Sequence, residues 1–243
     1  MEGRPVEKVS YLGSKAASGA YQAIIAHMPP HEIYIESHLG SGAVMFNKPR
    51  ATIEIGIDID AYAFTLTRRR WHPGKVPHFL FKQCDAVEFL EQFDYSGNGR
   101  VFVYADPPYL PETRTSSARY RHEYTVADHK RLIQTLRNIP ANIMISGYPS
   151  PLYDELLSDW RTYEFTVMTR GGVRVEKIWM NYPEGEAYSA AFAGRDYIDR
   201  QRIKRKAERW AKKYQALPAP ERLAIFSELM KVHQDDNKTT DEE

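Results

Sequence analysis

Short segments rich in β-branched and aromatic residues recur along this chain with amphipathic stretches between them, and that alternation limits the fold more than any other feature. The segments are Glu32 to Glu36, Thr52 to Asp58, His78 to Lys82, Val101 to Ala105, Asn142 to Ser146, Thr162 to Thr169 and Arg174 to Asn181. Between the first five lie helical patterns such as Thr125 to Asn138, where Leu132, Ile133 and Leu136 share one face. Strands alternating with helices predict a mostly parallel sheet covered on both sides. Only Arg170-Gly171-Gly172-Val173 separates the last two strands, and Gly-Gly is hairpin chemistry, so one strand is expected to run antiparallel. With 243 residues, 42% hydrophobic and 27% charged, the chain suits one α/β domain with a small appendage and is not composed like a disordered one. No apolar run approaches the roughly 18 residues of a membrane span. The opening MEGRPVEKVS lacks a signal-peptide core, so a soluble, cytoplasmic protein is expected. One cysteine, Cys84, excludes a disulfide framework and a multi-cysteine zinc site, and the scattered histidines show no metal-ligand spacing. A G-x-S-x-G nucleophile elbow and a phosphate-cradling P-loop are both missing.

In such a sheet, ligands bind beyond the carboxyl ends of the strands. The first strand leads into Ser37-His38-Leu39-Gly40-Ser41-Gly42, whose glycines allow a tight turn and a close approach to a ligand, although a plain strand-to-helix turn reads the same way. The second ends at Asp58, placed to hold the two hydroxyls of a ribose or to cap the next helix. The fourth opens into Asp106-Pro107-Pro108-Tyr109, the most informative tetrapeptide in the chain. The Asp106 carboxylate and the rigid Pro107 carbonyl make an acceptor-only pair, since proline donates no N–H. An exocyclic aromatic amine is a poor nucleophile because its lone pair is delocalised; two acceptors pulling on its hydrogens aim that lone pair at an electrophile. Tyr109 offers an aromatic face for a flipped base. A Pro-Pro turn with a capping Asp and a core Tyr is the plainer alternative.

With these residues in place, the chain resembles the Dam-like class of adenine-specific DNA methyltransferases, particularly the short versions carried by phages and prophages. The resemblance runs from about Tyr11 to Asn181, with motifs in the family's order. Tyr11-Leu12-Gly13-Ser14-Lys15 is similar to the motif that closes over the methionine end of S-adenosylmethionine; Glu36, Gly40 and Gly42 to the cofactor loop; Asp58 to the ribose-binding acid; and Asp85, in Cys84-Asp85-Ala86, to the acceptor of the cofactor adenine amine. Asp106, Pro107, Pro108 and Tyr109 match the catalytic motif, with Asp106 also reaching the cofactor. Ser146-Gly147-Tyr148 and Glu176 to Asn181 resemble the closing motifs. The resemblance implies a Rossmann-like S-adenosylmethionine-dependent methyltransferase fold, with a seven-stranded, mostly parallel sheet and an antiparallel last strand. It implies methyl transfer to the N6 amine of adenine in DNA, by base flipping and direct displacement, without a metal. The same chemistry on RNA adenine or on the N4 amine of cytosine stays open, as does a catalytically silent nucleic-acid-binding protein. Ser37-His38 departs from the Pro-Phe of many members and removes an aromatic contact with the cofactor.

Larger members insert a recognition domain between the third and fourth strand motifs, where only 21 positions separate Asp85 from Asp106 here. Target contacts therefore fall to Arg114, Arg119, Arg121 and His122 in Leu110 to Tyr124, unless that segment is an ordinary solvated loop, and to Arg170 and Arg174 around the hairpin turn. Residues 1–185 are expected to form the catalytic domain, 186–233 a basic helical extension and 234–243 a disordered acidic tail. Arg195 to Lys213 carries nine Lys or Arg against three acids, hidden inside a net charge of +1 for the chain. Such a helix can contact phosphates; it also suits packing on the sheet through Ile203, Ala207 and Trp210 with a solvated charged face.

Overall fold

The computed structural model describes residues 14–16, 19–70, 79–97, 99–114, 120–169, 172–185, 188–194 and 196–239. Strands β1 (Ile33–Glu36), β2 (Ile53–Asp58), β3 (Phe79–Gln83), β4 (Val101–Ala105), β5 (Asn142–Gly147), β6 (Arg161–Thr169) and β7 (Gly172–Met180) form one sheet in the order β3-β2-β1-β4-β5-β7-β6. The first five pair in parallel, while β7 runs antiparallel to both β5 and β6, as the short Gly-Gly connection requires. This is the doubly wound α/β sheet that the alternation predicts.

Helices α1 (Ala20–Ala26), α2 (Ala43–Asn47), α3 (Ala61–Arg70), α4 (Ala86–Gln92), α5 (Val126–Asn138) and α6 (Pro151–Leu156) include the crossovers that parallel pairing demands. The central strands are buried on both faces, and period-2 alternation sorts their side chains into two cores. Ile35, Val103 and Ile145 face Leu132, Ile133 and Leu136 of α5, whereas Tyr34, Phe102 and Met144 face Ile24 and Ile25 of α1. Helix α5 begins where the pattern placed it because Thr125 and Asp128 form a reciprocal capping box.

Two expected boundaries move. Tyr188 and Phe192 pack against the second core, and Tyr188 Oη donates to the Pro49 carbonyl at 2.9 Å, so the first compact unit reaches Phe192 instead of ending at 185. The second unit, from Ala193, holds α7 (Tyr197–Gln215) and α8 (Ala219–Thr239). Helix α8 continues to Thr239, through most of the segment expected to be disordered; residues 240–243 lie outside the described residues. No helix among the described residues is long and apolar enough to cross a membrane.

The turn between α2 and β2 is held by a buried ion pair. Lys48 Nζ lies 2.7 Å from Glu54 Oε1, both side chains are 0% exposed, and the ammonium sits 4.2 Å from the centre of the Tyr34 ring. Arg50 Nη1 holds the other Glu54 oxygen at 2.9 Å, so Lys48→Met leaves the buried carboxylate half-answered and is expected to cost about 1–3 kcal/mol. Urea unfolding measures it, and a loss below about 1 kcal/mol would mean that the pair is solvated.

Candidate active site

Strand order reverses between β1, whose neighbours are β2 and β4, and this switch point opens a crevice at the carboxyl ends of β1 and β4. A pocket of about 450 Å³ occupies it. Glu36 from the end of β1, Asp58 from β2, Asp85 after β3 and Asp106 after β4 all line this one pocket, together with Lys15, Gly40, Pro107 and Pro108. Four carboxylates distant in sequence are gathered there by strand topology.

The loop after β1 is shaped by glycine. Gly40 and Gly42 have φ of 48° and 63°, and a Cβ on Gly42 would lie 2.6 Å from Phe46 Cε2. Asp58 ties this loop to β2: its Oδ2 accepts from Gly40 N at 2.7 Å and its Oδ1 from Asp60 N at 2.8 Å. Each oxygen keeps a lone pair for a further donor such as a hydroxyl. Asp85 caps α4, accepting from Glu88 N at 3.0 Å through Oδ1, with Arg131 3.5 Å away.

Asp106 is held from two sides. Lys15 Nζ donates to both of its oxygens at 2.7 and 2.8 Å, and Ser146 Oγ donates to Oδ1 at 2.8 Å. The same ammonium donates to Tyr109 Oη and lies 3.6 Å from Glu176 Oε2. Burial alone would push the Lys15 pKa down, but the Asp106 and Glu176 carboxylates outweigh it and hold the value above that of an ordinary lysine. Glu176 is shifted upward, chiefly by burial. Glu36 is driven to about 8 by burial, reinforced by Asp106 and opposed by the hydrogen bond that Tyr34 Oη donates at 2.8 Å. It is therefore largely protonated at neutral pH.

Sequence reasoning placed Lys15 beside the cofactor; the structure adds its direct grip on Asp106. It missed a polar brace across the pocket mouth. His38 Nε2 and Tyr124 Oη are hydrogen-bonded at 2.9 Å, with Ser37 Oγ 3.0 Å from His38 Nδ1. Burial pushes His38 down to about 3, so it is neutral. The histidine itself was the available signal: a half-buried imidazole at that position needs a partner. Tyr109 is 6% exposed, with its ring edge-on to Tyr148 at 4.6 Å and Lys15 Nζ 4.7 Å from its centre. Tyr120 lines the pocket beside Asp106.

The expected target contacts divide. The Arg114 side chain is 11% exposed and both Nη atoms pair with Glu123, at 3.0 and 2.6 Å, so it braces its own loop. Arg121 lies over the Tyr62 ring at 4.4 Å, with Nε 3.9 Å from Asp60 Oδ2, and its side chain is 64% exposed. His122 lines the pocket. Arg174 sits on β7 opposite Val167. Tyr11, Arg119 and Arg170 lie outside the described residues.

Comparison with known proteins adds the following. No family model matches the chain. Over 78 residues, 30% of this chain, it is 32% identical to the type II methyltransferase M1.LlaDCHI of Lactococcus lactis subsp. cremoris, and the match spans only 28% of that relative. Its trace is similar to TrmK of M. capricolum, solved with the cofactor product S-adenosyl-homocysteine, at 10% identity and a TM-score of 0.43, covering 89% of this chain and 96% of that one. An rRNA methylase from Streptococcus thermophilus aligns at 11% identity and a TM-score of 0.39, covering 66% and 91%.

Lys15 separates Asp106 from Glu176 electrostatically, and a variant without the ammonium leaves two carboxylates facing each other. Glu176, already held above its ordinary value by burial, then loses the ammonium that lowers it, so the penalty is full above its raised pKa and disappears as pH falls through it. Lys15→Met is expected to lose about 3–5 kcal/mol at pH 8 and much less at pH 5. Denaturant midpoints at the two pH values decide it; equal losses would show that packing, and not charge, holds the site.

Proposed function

We propose that the protein is an S-adenosylmethionine-dependent methyltransferase that acts on the N6 amine of adenine in DNA. The observation that carries this reading is the convergence of Glu36, Asp58, Asp85 and Asp106 on one pocket at the sheet's switch point, with Asp106 followed by two prolines. The stretch of identity with a type II methyltransferase supports it.

The pocket suits the cofactor in size and in donor set: about 450 Å³, acceptors at Asp58 and Asp85 for ribose hydroxyls and an adenine amine, and acids for positive charge. When bound, S-adenosylmethionine supplies a methyl group on a sulfonium leaving group, so the protein need only bring and orient the nucleophile. Asp106 and the Pro107 carbonyl accept the two amine hydrogens, and Tyr109 stacks on the flipped base. Both roles require Lys15 to move, because its ammonium occupies the Asp106 oxygens and stands over the Tyr109 ring. Ser146 keeps Asp106 in position once Lys15 has left.

The test is incubation with labelled S-adenosylmethionine and DNA or RNA, followed by nucleoside analysis. N6-methyladenine in DNA is expected; label in RNA or on cytosine N4 moves the target, and no label in either polymer rejects the activity. Asp106→Ala is expected to lower turnover by on the order of 10³-fold while retaining cofactor binding. Undiminished transfer by that variant would remove Asp106 from the mechanism.

Glu36 adds a pH signature. S-adenosylmethionine brings positive charge, which lowers a neighbouring acid's pKa, so binding near pH 7 is expected to release close to one proton from Glu36. Affinity then rises with pH and levels off above about 8. Calorimetry in buffers of different ionisation enthalpy reads the proton directly, and a binding heat independent of buffer contradicts it.

A further inference from the structure

We propose that α7 is a second, sequence-independent contact for the nucleic-acid backbone, distinct from the pocket that holds Asp106. The proposal rests on the reading of the substrate as a nucleic acid. Helix α7 is 19 residues long, and none of its residues is buried. Trp210, one of the three residues that would fasten it to a sheet, is 65% exposed.

The charges are sorted around the axis. At about 100° per residue, six of its eight cations, Arg202, Arg205, Lys206, Arg209, Lys212 and Lys213, fall within one third of the circumference, while Arg200 and Lys204 lie on the other side. Arg202 is paired with Asp199 at 2.7 Å. Among the described residues, the other five are paired with no carboxylate. They extend over about 12 Å of helix, a length along which duplex DNA presents about seven phosphate charges. Arg205 and Arg209, and Arg209 and Lys213, are like charges one turn apart, a repulsion that a bound polyanion relieves.

The alternative polyanion, an anionic membrane, fits the sorting poorly. Ile203, Ala207, Trp210 and Tyr214 lie together on a stripe about 130° from the centre of the cationic face. A helix that buried this stripe among lipid headgroups would turn these six cations away from them. A phosphate backbone can be approached by the cationic face alone.

The experiment uses the full-length chain and a variant carrying Arg205→Gln, Arg209→Gln, Lys212→Gln and Lys213→Gln, replacements that keep helix propensity. Binding to an arbitrary DNA duplex is followed by anisotropy between about 50 and 200 mM salt, without cofactor. The slope of log K against log salt is expected to be shallower by about 3 to 4 in the variant, near 0.9 for each cation lost. Arg205→Lys with Arg209→Lys keeps the original slope, and circular dichroism verifies that the helix is retained. Identical slopes for the parent and the glutamine variant overturn the proposal. So does binding to phosphatidylserine vesicles in place of the duplex. A chain that shows the predicted slopes but transfers no methyl group rejects the catalytic reading and leaves this one standing.

Discussion

A parallel strand is joined to its neighbour only by a crossover that returns the chain to its starting edge, and the crossovers of one sheet share a hand. The carboxyl ends of β1 to β5 are therefore brought to a single edge of the sheet. Glu36, Asp58, Asp85 and Asp106 each stand at, or within two residues of, a strand's carboxyl end. Nothing else in their sequence context brings them together. The reversal of order between β1 and β4 then holds the flanking helices apart and leaves a crevice where the acids meet.

Gathering acids in a half-dry pocket costs energy unless each charge is answered. The chain answers them in four ways. Asp58 accepts two backbone N–H groups, Asp85 caps a helix, Asp106 is clasped by Lys15 and Ser146, and Glu36 keeps its proton. Among the described residues, two cations stand against these acids: Lys15 on Asp106 at 2.7 Å and, more loosely, Arg131 3.5 Å from Asp85. A pocket with this balance favours a ligand that carries positive charge and opposes nucleoside phosphates, whose anions would meet the same carboxylates. Such a balance also makes Lys15 the movable part: any donor that reaches Asp106 competes with an ammonium already seated there.

The strands were legible because residues such as Ile55, Ile57, Val101 and Val103 are buried on both sides of the sheet and leave an apolar run that no helix face would need. The acids were legible because the position just after a strand is informative once the sheet is known to be parallel. Contacts between remote segments were not. Lys15 and Asp106 are 91 positions apart and His38 and Tyr124 are 86 apart, and no local pattern announces either pairing. Arg114 failed for another reason: counting charges does not distinguish an arginine aimed at solvent from one whose partner, Glu123, lies nine residues on. Tyr188 and Phe192 sit in a run of small residues that reads as linker, although their rings complete the core. The continuation of α8 past Gln234 did carry a signal, since neither Gly nor Pro occurs between Glu221 and Thr239 to stop it.

Charge is distributed differently in the two compact units. In the first, Arg50, Arg100, Arg114 and Arg137 are each paired with a carboxylate within 3 Å, so these four are committed to the fold. In the second, α7 leaves five cations on one face without a carboxylate partner among the described residues. At physiological ionic strength a charge is felt over about 8 Å. A polyanion near α7 therefore responds to those five cations and not to the chain's sum of +1. Near neutrality of the whole chain, which taken alone argues against a nucleic-acid substrate, restricts only interactions at distances well beyond that length.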